Sequence, residues 1–183
     1  METYISILRG INVGSHNKIQ MTDLKKLYED LKLKHVITYI QSGNVIFTAS
    51  KENDEKLARK IEDSIYSKYS IDVPVIIRSE EEMKKIVASN AMLQDATVNK
   101  EKLHVTFLAT LPDKTKVESI KHLDYSPDKF IIMGKEIFLY CPNGYGITKL
   151  SNNFFENKLK VKATTRNWKT VNKLVDIAAD LIK

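Results

Sequence analysis

The chain has 183 residues, 43% hydrophobic and 28% charged, which is enough apolar material for a sizeable core but contains no apolar run near the roughly 20 residues that span a bilayer. A single cysteine, Cys141, excludes an intrachain disulfide and a cysteine-based zinc site. The formal net charge of +6 is uneven: residues 1–90 carry 14 basic and 13 acidic side chains and residues 91–183 carry 15 and 10, with eight against three in residues 145–183.

In chain order, the first residues read straight into a strand over Thr3–Arg9, without the basic start and apolar stretch of a secretory signal, so a cytoplasmic location is expected. Gly10 and Gly14 break that strand into a loop. Thr22 is a candidate cap for a helix to about Leu33, with Leu24, Leu27 and Leu31 on one face. His35–Gln41 reads as a second strand, Ser42-Gly43-Asn44 as a tight turn, and Val45–Thr48 as the returning third strand. A helix over about Asn53–Tyr69 and a strand over Val73–Arg78 complete a βαββαβ order, the ferredoxin-like pattern.

Ser79 and Glu82 form a capping-box signature for a short helix. Residues 90–102 carry no clear period. Leu103–Ala109 then reads as a strand, Pro112–Lys121 as a helix, and Lys129–Met133 with Glu136–Cys141 as a hairpin across Gly134-Lys135. Residues 151–159 read as a helix with Phe154, Phe155 and Leu159 on its apolar face. Asn167 caps a last helix whose stripe is Trp168, Val171, Val175, Ala178 and Ile182. The expected fold is therefore α+β, with two ferredoxin-like (βαββ-type) units in tandem, the second ending in two helices. The units divide as a βαββαβ unit over 1–78, a connecting helix and loop over 79–102, and a βαββ unit with two C-terminal helices over 103–183. No residue-level identity between the halves stands out.

Two groups of residues could carry chemistry. At the start of the last helix, Thr165, Arg166, Asn167 and Lys169 place cations where exposed backbone N–H groups and the helix dipole favour an anion, and Lys149 follows a glycine-containing loop nearby. The Lys149 loop lacks P-loop spacing. On the N-terminal side, Arg9, Asn12, Gln41, Ser42 and Asn44 occupy loops at strand ends, with donors and acceptors but no strong nucleophile. Ser42 lacks the glycine of a hydrolase elbow. His16, His35, His104 and His122 are scattered, so no metal is expected. No cofactor is implied. Tyr4, Phe47, Phe107, Phe138 and Tyr140 lie on strands, outside the motif context of an RNA-binding sheet.

At Leu8-Arg-Gly-Ile-Asn-Val-Gly14, Thr38-Tyr-Ile-Gln-Ser-Gly-Asn-Val45 and Ala163-Thr-Thr-Arg-Asn-Trp-Lys-Thr-Val171, the sequence resembles the bacterial family known as domain of unknown function 1697. His104–Leu108 and Lys149–Glu156 extend the likeness. The resemblance implies paired ferredoxin-like units and no established activity, substrate or cofactor.

The leading expectation is a protein that binds an anionic ligand, either a phosphate-containing small molecule or a nucleic-acid backbone, in a cleft between the units. An enzyme acting on a phosphorylated or acyl small molecule is the first alternative, with Glu156 or Asp176 as distant candidate bases. A structural or protein-interaction module is the second. No membrane association is expected, and the sequence leaves the oligomeric state open.

Overall fold

A computed structural model describes residues 1–181. Its contacts divide the chain into two units, Met1–Lys84 joined by the last helix from Lys173 onward, and Lys85–Asn172.

The first unit contains β1 (Glu2–Leu8), α1 (Met21–Asp30), β2 (Lys34–Tyr39), β3 (Asn44–Ala49), α2 (Asp54–Tyr69) and β4 (Val75–Ser79), followed by α3 (Glu80–Ala88). The sheet order is β2-β3-β1-β4, antiparallel throughout. Alternation divides β1 between two faces. Tyr4 and Leu8 join Phe47, Leu24, Leu57, Ile61 and Ile77 in a core shared with α1 and α2, while Ile5 and Ile7 are fully buried on the other face. Asn53 caps α2 by accepting from the Lys56 N–H, and Ser70 ends it in the left-handed conformation at φ 55°. Helix α1 begins after Gln20 without a side-chain cap, so Thr22, expected to cap it, lies inside its first turn. The Ser79–Glu82 capping box forms in both directions, at 2.8 and 3.2 Å.

The second unit contains β5 (Leu103–Leu108), α4 (Lys114–Lys121), β6 (Lys129–Met133), β7 (Glu136–Tyr140), α5 (Asn152–Leu159), β8 (Ala163–Asn167) and the start of α6 (Trp168–Asp180). Its sheet runs β6-β7-β5-β8, also antiparallel, which is the order of the first unit. Both tandem ferredoxin-like units are present, as are the two C-terminal helices. A strand the sequence reading did not anticipate, β8, lies between those helices and completes βαββαβ in the second unit as well. Thr164-Thr165-Arg166-Asn167 has no apolar alternation, and the capping role of Asn167 drew Arg166 into the helix start. Asn167 does cap α6, accepting from the Thr170 N–H at 2.7 Å. The apolar stripe of α6 runs through Trp168, Val171, Leu174 and Ala178, all buried, with Val175 only half-buried. Ile182 lies outside the described residues.

With the two orders superposed, the halves share side-chain roles that inspection of the sequence misses. Glu62 of α2 accepts the N–H of Val75 at the start of β4 (2.8 Å), and Glu156 of α5 accepts the N–H of Ala163 at the start of β8 (2.9 Å). Leu8 N–H bonds the Gly43 carbonyl and Leu108 N–H bonds the Lys135 carbonyl, each at 2.8 Å. Arg78 and Arg166 occupy the same position of the fourth strand, opposite Ile5 and Val105 of the first. Each turns Nη1 back to the carbonyl of the preceding residue, at 2.8 and 2.9 Å.

Candidate functional site

The two N-terminal polar loops meet at one end of the first sheet. Asn12, at φ 55°, donates through Nδ2 to the carbonyls of Ile19 and Gln41, both at 2.9 Å, and its Oδ1 accepts the Ile19 N–H at 3.0 Å. Asn44 is fully buried and donates to the Tyr39 carbonyl and to Ser42 Oγ. Gly43 sits between them at φ +83°, where an added Cβ would lie 2.9 Å from Leu8 Cβ and 2.7 Å from Ile11 Cδ1. Asn12 and Asn44 thus spend their polar atoms fastening the loops. Arg9 and Ser42 are half-buried beside them, and Gln41 is exposed.

The C-terminal group lies in the second unit. Thr165 is on β8 and is engaged with Thr106 Oγ1 (2.7 Å) and Asn152 Oδ1 (2.6 Å). Arg166, expected in the first turn of the last helix, lies one strand residue before its cap and is only 8% exposed. Its Nη1 donates to Thr164 Oγ1 and the Thr165 carbonyl. Burial lowers its pKa to about 10, with Tyr145 opposing, so it is charged at neutral pH. Lys169 is exposed in the first turn of α6. Lys149 is exposed on the rim of a hollow of about 320 Å³ that also presents Asp124 and Asp128. Glu156, considered as a distant base, holds the start of β8 instead. Cys141 is fully buried, and burial raises its thiol to about 11. Tyr4, Phe47, Phe107 and Phe138 are buried too, so none serves as an exposed stacking platform.

Residues outside both groups make a more pronounced charged feature, in the first unit. A hollow of about 590 Å³ lies where the end of α1, the start of β2, the end of β3 and the start of α2 come together. Lys32, Lys34, Lys51, Lys56 and Lys60 line it, against one carboxylate, Glu52. Lys56 pairs with Glu52 at 3.1 Å, and Lys51 with Glu2 at 3.4 Å. Lys60 Nζ reaches only the Leu31 carbonyl, at 3.4 Å. Among the described residues, Lys32, Lys34 and Lys60 make no ion pair. The remaining wall is Leu31, Leu33, Ala49, Ser50, Asn53 and Met1, with no aromatic ring.

Sharing Met1, Lys51 and Glu52 with it, a second hollow of about 550 Å³ is lined by Glu2, Asp54, Glu80, Glu81 and Glu82. Several of these carboxylates are engaged: Glu2 by the Tyr4 hydroxyl, Glu80 by Lys84, and Glu82 by the Ser79 N–H. No group of three potential metal ligands occurs among the described residues. The near-zero charge balance of the first half therefore hides a separation of signs. Lys56 and Lys60, four apart on one helix face, were the available sequence signal.

Fold and surface together define a tandem ferredoxin-like α+β protein with a charge-segregated first unit; among the described residues no helix is long and apolar enough to cross a membrane. The family model described as protein of unknown function (DUF1697) matches residues 1–138, and the chain belongs to that family. Among solved structures it is similar to the conserved bacterial protein SP0830 from Streptococcus pneumoniae, at 24% identity and a TM-score of 0.75, over 97% of this chain and 98% of that one. That likeness shows the shared fold. No curated protein matches the chain.

Proposed function

We propose that the protein binds a phosphate-rich small ligand, seated in the lysine hollow of the first unit. The observation that carries this reading is the set of five lysines converging from four elements onto one concavity with a single facing carboxylate. Three of them have no ion pair to give up when an anion arrives. Grouped ammonium ions raise the local anion concentration and hold phosphate oxygens by charge-assisted hydrogen bonds. The absence of an aromatic wall supports recognition of charge over recognition of a base, since single-stranded nucleic acids are held largely by stacking on rings.

Calorimetric titration with tripolyphosphate at low salt tests the reading. Binding should weaken by about tenfold or more in a Lys34→Glu, Lys60→Glu double variant, weaken with added salt, and be unchanged in Lys149→Ala. Absence of binding, or binding indifferent to Lys34 and Lys60, removes the proposal. Binding of a DNA or RNA oligomer without binding of tripolyphosphate would replace the small ligand by an extended backbone.

A further inference from the structure

Each sheet has two outer strands, and one matching pair of them, β2 and β6, is equivalent by topology and unlike in construction. Strand β2 has a register shift between Lys34 and Ile37, with His35 at φ 51°, so its outer edge is broken by a bulge. Bulges and outward lysines are common devices against edge-to-edge pairing. Strand β6, Lys-Phe-Ile-Ile-Met over 129–133, keeps an uninterrupted register with β7 across all five residues. None of its residues is buried; Ile131 is 37% exposed and Met133 41% exposed.

We propose that β6 is a self-association edge, at which two copies of this chain pair antiparallel about a two-fold axis through Ile131. The hairpin has a two-residue loop, Gly134-Lys135, closed by Met133 opposite Glu136. In such a hairpin the closing pair is hydrogen-bonded, as are Ile131 with Phe138 and Lys129 with Tyr140, so the backbone groups of Phe130 and Ile132 face outward. Pairing about Ile131 sets Phe130 of each copy opposite Ile132 of the other, matching outward donors to outward acceptors at both positions. Ile131 then faces its own counterpart in a close, non-hydrogen-bonded pair, and Met133 faces the aliphatic stem of Lys129. Slipping by two residues one way brings Lys129 opposite Lys135, a like-charge pair. Slipping the other way sets Asp128 opposite Ile132 as a hydrogen-bonded pair, and the Asp128 N–H is already given to the Tyr125 carbonyl at 3.0 Å. Charge and backbone chemistry thus favour the same register, and an isologous contact requires such self-complementarity. A five-residue edge buries well under the roughly 1,200 Å² of a standard interface, so the dimer is weak and concentration-dependent.

Sedimentation of the intact protein from about 5 to about 500 µM should show the mean mass rising from 21.0 kDa toward twice that value. Ile131→Lys, which sets two ammonium ions across the axis, should hold it at the monomer mass. Mild oxidation of Ile131→Cys should give a disulfide-linked dimer, whereas Met133→Cys, facing Lys129, should not; buried Cys141 stays out of the reaction. A native protein that is monomeric throughout, a dimer that survives Ile131→Lys, or equal cross-linking at 131 and 133 would each overturn the proposal. The lysine hollow lies in the other unit, so these outcomes are independent of tripolyphosphate binding.

Discussion

The two units are alike in frame and different in margin. Both hold the fourth strand to its preceding helix by a glutamate, Glu62 or Glu156, and both place an arginine at the same point of that strand. What differs lies outside the frame. The first unit has the long loop between β1 and α1, the bulged β2 and the segregated charges; the second has a short β5–α4 connection and an open β6. The repeated contacts stabilise the fold and give no hint of activity, so differences in function are to be sought at the margins.

The comparison can be tested first at the cores. Ile61 and Phe155, each one residue before those glutamates, are fully buried, and replacing either by alanine should cost about 2–5 kcal/mol in denaturant unfolding. If the frames are equivalent the two losses match; a large disparity would break the comparison.

The β-hairpin turns should separate the units. Gly43→Ala meets both a positive φ and the Leu8 and Ile11 side chains, whereas Gly134→Ala, at φ +60°, has nothing within 4 Å. The first should cost about 2–4 kcal/mol and the second about 1. Equal costs would mean that the close approach in the first unit relaxes easily.

Glu62→Ala and Glu156→Ala each strand a backbone N–H at a strand start, and thermal unfolding should show about 1–2 kcal/mol lost in both. A null effect in one would show that its repeated role is only geometric.

The smallest effect belongs to the second unit. His104 stacks on Tyr145 at 4.9 Å between ring centroids, and desolvation by burial lowers its pKa, with the Lys102 carbonyl opposing. The unfolded state then binds the proton more readily, so this stability is fully present above the ordinary imidazole value and is lost as pH falls below it. Urea midpoints measured down from pH 7.5 should decline through that window, less steeply in His104→Gln.

Much of this architecture was legible because seven strands and the long helices carry their period in apolar residues. Strand β8 was not legible: its hydroxyls and guanidinium pair with Thr106, Asn152 and backbone carbonyls, so burial there comes from polar satisfaction without apolar alternation. The same limit applied to the candidate site. Asn12 and Gln41, expected in loops at strand ends, are there and are hydrogen-bonded to each other, but Lys32, Lys34, Lys51, Lys56 and Lys60 converge only once β2, β3 and the two helices are in place. The C-terminal charge excess drew attention instead to Lys149, Arg166 and Lys169. There the structure finds Arg166 buried and Lys149 beside two aspartates.

The Asn12 side chain has one further consequence. Because it bonds Ile19 on one side and Gln41 on the other, the loop after β1 and the turn after β2, distant in sequence, have to open together. In hydrogen exchange the Ile19 and Leu8 amides, the second bonded to Gly43, should report one common opening free energy, and Asn12→Ala should split it into two.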